Sequence, residues 1–165
     1  MAYIKKGVAK STPSLSRADT APHIKSFIQK FYARKNFSSH FEIGVAKHGS
    51  YQADVLAINM KRHLIIFEIK SCWADFQTDN KKGKWRNYLR YCDQFYFAFT
   101  QEVWDKVKDR VLPIVKDSGA GVFVVPSSGR YQASKVVKAA KKLVLDDDIR
   151  LWLVTKLACK AGQWN

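Results

Sequence analysis

The chain has 165 residues, 47% of them hydrophobic and 13% aromatic. That is enough apolar surface for one packed domain, and it excludes an intrinsically disordered protein. Lys and Arg number 29 against 14 Asp and Glu, a formal charge of +15, so polyanions are the expected partners, nucleic acid first and an anionic membrane surface second.

No run approaches the roughly 20 apolar residues that cross a bilayer. The lysines near the N-terminus have no apolar segment behind them, so no secretory signal is expected. Cys72, Cys92 and Cys159 are odd in number and far apart, which argues against a disulfide framework and a zinc knuckle alike. The expectation is a cytoplasmic protein with reduced thiols, Cys92 serving as a small core residue.

Residues 1–16 are Lys, Ala, Ser and Thr with little apolar periodicity and suggest a flexible basic arm ahead of a single domain over 17–165. Asp19-Thr20 before Pro22 signals a helix start. Ile24, Phe27, Ile28, Phe31 and Tyr32 then follow helical spacing to about Lys35. A strand is expected over 40–47, a turn or loop at His48-Gly49-Ser50, and two strands at 53–59 and 63–71 joined by a short Met-Lys-Arg turn. So short a link makes an antiparallel hairpin.

Trp73 to about Arg90, with Gly83 inside it, suggests a broken helical segment. Residues 94–99 form a buried strand. A helix over 102–111 stops before Pro113. A second buried strand covers 121–125, Ser127-Ser128-Gly129 turns, and 130–137 returns as an edge strand. A last helix spans 146–160, with acids in its first turn as the dipole favours. This order predicts an α/β domain, a mixed β-sheet flanked by helices.

Three charges interrupt the apolar hairpin: Asp54 on its first strand, Glu68 and Lys70 on its second. A charge among Leu, Ile and Phe is costly unless it is paired or bound to a metal. Glu68 and Lys70 are two apart and leave one face of their strand. A turn centred near Lys61-Arg62 sets Asp54 opposite the end carrying both. Two carboxylates supply oxygen ligands suited to Mg²⁺, and the backbone carbonyl of Ile69, between Glu68 and Lys70, is a plausible further ligand. A lysine alongside can orient or deprotonate an attacking water and neutralise leaving charge. The set fits phosphodiester hydrolysis; the competing structural explanation is a salt-bridge cluster at a sheet end.

Asp54, thirteen residues, then Glu68-Ile69-Lys70 resembles the PD-(D/E)XK nuclease superfamily, with Ala53 where proline is frequent. Glu68-Ile69-Lys70-Ser71, Ala74-Asp75-Phe76, Lys84-Trp85, Tyr88 and Tyr91-Cys92-Asp93-Gln94-Phe95-Tyr96-Phe97-Ala98 resemble its MmcB-type DNA-repair branch, over about residues 40–137. The resemblance implies a restriction-endonuclease-like fold and Mg²⁺-dependent cleavage of DNA, with Mn²⁺ able to substitute. Asp54 and Glu68 would hold metal, and Lys70 would serve the attacking water. Many members add an acid from the first helix. Here that helix offers only Asp19 at its cap, so Glu42 is the substitute candidate.

Lys81, Lys82, Lys84 and Arg86, interleaved with Trp85 and Tyr88, form a pattern of cations for phosphates and aromatics for bases. Lys81, Lys82, Lys84, Trp85, Arg86 and His48 are therefore candidate DNA contacts. Tyr88, Tyr91 and Asp93 are expected to pack or hydrogen-bond the segment onto the sheet. The expected activity is a DNA endonuclease in repair, recombination or phage DNA metabolism. Two alternatives stand beside it: a DNA-binding module of the same fold with weak or no catalysis, and a homodimeric resolvase of branched DNA such as Holliday junctions.

Overall fold

In a computed structural model, residues 15–47, 51–127 and 134–162 of the protein are described. The expected arm over 1–16 and the turn and strand start over 127–133 lie almost wholly outside the described residues. The elements are helix α1 (Arg17–Ala33), strands β1 (Phe37–Gly44), β2 (Gln52–Asn59) and β3 (Leu64–Ile69), helices α2 (Trp73–Lys82) and α3 (Lys84–Tyr88), strand β4 (Gln94–Thr100), helix α4 (Gln101–Val115), strands β5 (Gly121–Val125) and β6 (Lys135–Lys138), and helix α5 (Asp147–Gly162). The strands lie side by side in sequence order. β3, β4 and β5 run parallel, and β1–β2, β2–β3 and β5–β6 are antiparallel. This is the mixed sheet flanked by helices that the element order predicts.

Each layer follows from its apolar spacing. In α1, Ile24, Phe27, Ile28 and Tyr32 form one buried stripe. It covers Val55, Ala57, Phe67, Tyr96 and Phe123 on one sheet face. The other face, with Leu56, Ile66, Phe97 and Val122, is covered by Phe76, Trp85, Trp104 and Leu153 from the remaining helices. β3 is buried along its whole length, as expected of a strand with a parallel neighbour and both faces covered. Its one acid, Glu68, therefore stands out energetically.

Several boundaries differ from the sequence expectation, β3 for one stopping at Ile69, one residue short of Lys70. The N-cap of α1 is Ser16, which accepts from the Asp19 amide at 3.2 Å. Asp19 is thus in the first turn, where an acid complements the dipole. β1 begins three residues early, at Phe37, and Glu42 within it has a φ of 52°. α4 runs through Pro113 to Val115. Proline there forfeits one backbone bond, but Trp104, Val107, Val111 and Val115 continue a single buried stripe across it. Burying two valines contributes about 1.5–3 kcal/mol each and offsets the loss.

Asp93 ties the far end of the fold together. It accepts from the Leu64 amide at 2.7 Å and from both Arg150 nitrogens at 2.8 Å. Burial alone would raise its pKa, yet Arg150 and the Leu64 amide hold it below the ordinary carboxylate range. Arg150→Ala is expected to cost about 2 kcal/mol near neutral pH. The loss should shrink in acid, where Asp93 protonates as pH falls through its lowered pKa; urea unfolding at both pH values checks it.

Candidate active site

The β2–β3 turn sets the register of the candidate residues. The Asn59 side chain accepts from the Lys61 and His63 amides at 3.0 Å each, and Arg62 takes a φ of 59°. The ladder then runs from Ile58–Leu64 to Val55–Phe67. One step further the same register sets Asp54 opposite Glu68. Directly opposed residues of an antiparallel pair leave the same face, and Lys70, two along from Glu68, shares it. At this step a side chain replaces the main chain in the ladder: Asp54 Oδ2 accepts from the Ile69 amide at 2.7 Å.

Glu68 and Lys70 are each only 3% exposed. Lys70 Nζ lies 3.4 Å from Glu68 Oε2 and is ion-paired with Asp79 of α2. Glu68 Oε1 is buried with no hydrogen-bond partner among the described residues, although the Tyr88 hydroxyl lies close enough to feel the Glu68 carboxylate. Burial, then the nearby Asp54 carboxylate, pushes the Glu68 carboxyl up to about 7, against the opposing pull of Lys70. Burial likewise raises Asp54, although the Ile69 amide and Lys70 counteract it. Burial by itself would discharge Lys70, but Glu68 and Asp79 outweigh it and its pKa is raised. The amine is therefore a fixed cation in this arrangement. Tyr88 donates to the Gln52 carbonyl at 2.8 Å and so pins α3 against β2 beside the acids.

The structure brings Asp54, Glu68 and Lys70 together, with Glu42 and Lys25 near enough to act on the Asp54 carboxylate. Glu42 lies across from Asp54 in the β1–β2 register, between the pairs Phe41–Val55 and Ile43–Ala53. Its carboxylate is half-exposed and ion-paired with Lys25 of α1. Lys81, Lys82 and Arg86 are exposed and Lys84 is partly so, with the charge of Lys84 acting on Glu68. Trp85 must be corrected: it is 1% exposed, stacked on Phe95 and edge-on to Phe97. Arg86 covers its ring at 4.5 Å, so no base can stack on the buried ring itself. The pattern misled because α3 is one short turn whose aromatic side faces the core. His48 lies outside the described residues.

Asp79 is the residue that sequence reasoning missed. A usable signal existed: a lysine buried on a strand needs more than one counter-charge. Asp75 and Asp79, one helical turn apart, follow it directly. Gly83, at φ 64°, closes α2 and turns the chain into α3, as the expected break in this segment requires.

A model of the MmcB-like DNA repair proteins matches residues 8–161. The chain belongs to that family. A protein of unknown function from Silicibacter pomeroyi is similar in structure, with a TM-score of 0.67 and 22% identity over 90% of this chain and 88% of that one. An XisH family protein from Nostoc punctiforme has a TM-score of 0.50 and 10% identity over 72% of this chain and 98% of that one. Such likenesses show the fold, which is the restriction-endonuclease-like α/β class expected. No curated protein matches the chain. No helix among the described residues of this MmcB-like protein is long and apolar enough to cross a membrane.

Among the described residues, no three Asp, Glu, His or Cys side chains form a ready metal cluster. The donor set is two carboxylates, Asp54 and Glu68, plus backbone. It nevertheless fits a hard divalent cation. Buried Glu68 and partly buried Asp54 repel each other, and Glu68 Oε1 has no hydrogen-bond partner among the described residues. Oxygen ligands from one or two carboxylates, completed by water and phosphate, suit Mg²⁺.

Proposed function

We propose that this MmcB-like protein is a metal-dependent DNA endonuclease acting in DNA repair. The observation that carries the reading is Glu68: a buried acid with an unsatisfied oxygen, opposite Asp54 and beside Lys70, in a DNA-repair family. Asp54, Glu68 and the Ile69 carbonyl would hold Mg²⁺ or Mn²⁺. The ion, when bound, supplies Lewis-acid stabilisation of phosphoryl charge and lowers the pKa of a coordinated water. Lys70, kept cationic by Glu68 and Asp79, orients the water and offsets charge building on phosphate oxygens. Asp79 positions that amine. Tyr88 and the Asp54–Ile69 bond fix the hairpin end that presents both acids. The test is cleavage of plasmid, single-stranded and branched DNA with Mg²⁺ or Mn²⁺ and with chelator. Metal-dependent products support the proposal; their absence from all three substrates rules it out.

Exposed Lys81, Lys82 and Arg86 lie on the same segment as Lys84, whose charge acts on Glu68, and would contact DNA phosphates. Replacing all three by Ala is expected to lower the slope of log binding constant against log salt by about 3. Fluorescence anisotropy from low to moderate salt measures it. An unchanged slope would move the DNA path elsewhere.

One observation favours a second reading, a DNA-binding module without catalysis. Lys70 is already ion-paired on both sides, and Glu42 is tied to Lys25. Such a protein would bind DNA with steep salt dependence yet leave every substrate intact when metal is present.

A further inference from the structure

Beyond the carboxyl ends of the parallel strands β3 and β4 lies a cavity of about 380 Å³. Ser71, next in the chain to Lys70, lines it. So do residues from the starts of α1, α2 and α4. Crevices at this end of parallel strands are the usual ligand sites of α/β sheets.

Its charge is unbalanced. Arg17, Lys106 and Arg110 line it against one acid, Glu102. Glu102 is paired at 3.0 Å with Lys106 on the helix surface, an interaction worth little in water. Among the described residues, neither Arg17 nor Arg110 has a carboxylate partner. The Arg110 guanidinium lies 4.5 Å over the Trp73 ring, and its Nη2 donates to the Lys106 carbonyl at 3.3 Å. The stack holds a planar, forked donor in place, the geometry that binds phosphate oxygens in pairs. The Trp73 ring itself is covered, by Arg110 and by the stacked Phe76, but the outer face of the Arg110 guanidinium offers a flat surface to a base. The volume suits one small ligand.

The geometry points to this cavity as a pocket for a single unstacked, phosphate-bearing nucleotide at the end of a DNA strand. Its arginines take the phosphate, the outer face of the Arg110 guanidinium takes the base, and the cavity meets the β3 strand end at Ser71, one residue past Lys70. The nuclease reading explains why a nucleotide belongs there; the binding itself does not depend on it. The same chemistry would accept a free mononucleotide, so the test separates the two sources.

The experiment is calorimetry on the full chain in chelator, which removes any part the acidic site plays through metal. Thymidine 5′-monophosphate, thymidine and inorganic phosphate are titrated in turn. The monophosphate is expected to bind at least about tenfold more tightly than either fragment. Arg110→Gln and Arg17→Gln, both exposed positions that should fold normally, are each expected to weaken it by about tenfold. A single-stranded 5′-phosphorylated oligonucleotide should then displace the monophosphate, while a covalently closed duplex circle should not. Phosphate binding as tightly as the monophosphate, or unchanged affinity in both variants, would overturn the pocket. Failure of the oligonucleotide to compete would overturn its assignment to DNA ends. Cleavage assays score the nuclease reading separately: nucleotide binding without cleavage leaves the pocket standing and removes that reading.

Discussion

Glu68→Gln and Asp54→Asn are each expected to lower metal-dependent DNA cleavage by about 10³-fold or more, because each removes a negative ligand from a site with only two. Both changes keep shape and hydrogen-bonding capacity. The Gln amide still fits the buried position of Glu68, and the Asn oxygen can still accept from the Ile69 amide. Loss of rate with unchanged circular dichroism therefore reports lost chemistry rather than lost fold. Glu42→Gln is the informative contrast. Its carboxylate is half-exposed and committed to Lys25, so the cleavage rate should fall by no more than about threefold. Single-turnover rates on one labelled duplex, with Mg²⁺ in excess, measure all three. Equal rates for wild type, Glu68→Gln and Asp54→Asn would remove this site from catalysis.

The second large effect is on stability. Glu68 titrates at about 7 in the fold against 4.5 for an ordinary glutamate. Between those values the folded protein holds a proton that the unfolded chain has released. Stability therefore falls as pH rises through this window, by about 1.4 kcal/mol per pH unit and on the order of 3 kcal/mol in all. Asp54, also raised, acts in the same direction. Glu68→Gln cannot ionise. In chelator it should match wild type near pH 4.5 and be more stable by on the order of 3 kcal/mol at pH 8. Adding Mg²⁺ or Mn²⁺ at pH 8 should raise the Tm of wild type and leave that of Glu68→Gln unmoved. Below pH 7 the ion competes with a proton for Glu68, so affinity should drop about tenfold per pH unit. Denaturant unfolding across pH, with and without the ion, checks each part. A Gln variant less stable than wild type at pH 8 would mean that Glu68 gives more as an ion-pair partner of Lys70 than it costs as a buried charge.

Much of the site was legible because it depends on local rules. The period-two pattern and the short Met-Lys-Arg turn fix a hairpin. A two-residue step puts Glu68 and Lys70 on one face, and the position of the turn aligns Asp54 with them. What stayed hidden depends on the third dimension. Asp79 reaches Lys70 only because α2 folds back along the end of β3. Glu42 sits in register with Asp54 and its charge acts on that carboxylate, yet it takes a φ of 52° and is ion-paired with Lys25 on α1; neither is visible in a strand pattern. Trp85 carried the composition of a base-stacking surface, but which side of a five-residue helix meets the core is decided by Phe95 and Phe97 on a strand beyond it. The run of α4 through Pro113 has the same origin, since tertiary burial of Val111 and Val115 overrides a local breaker.

The central claim is that Asp54 and Glu68 share a divalent ion. Soaking crystals of the protein with Mn²⁺ and mapping its anomalous scattering tests this most directly. The account predicts one peak between the two carboxylates, within about 2.0–2.4 Å of an oxygen from each, and no peak there in Glu68→Gln. Crystals that take up Mn²⁺ elsewhere, or not at all, while Lys70 still bridges Glu68 and Asp79, would contradict it.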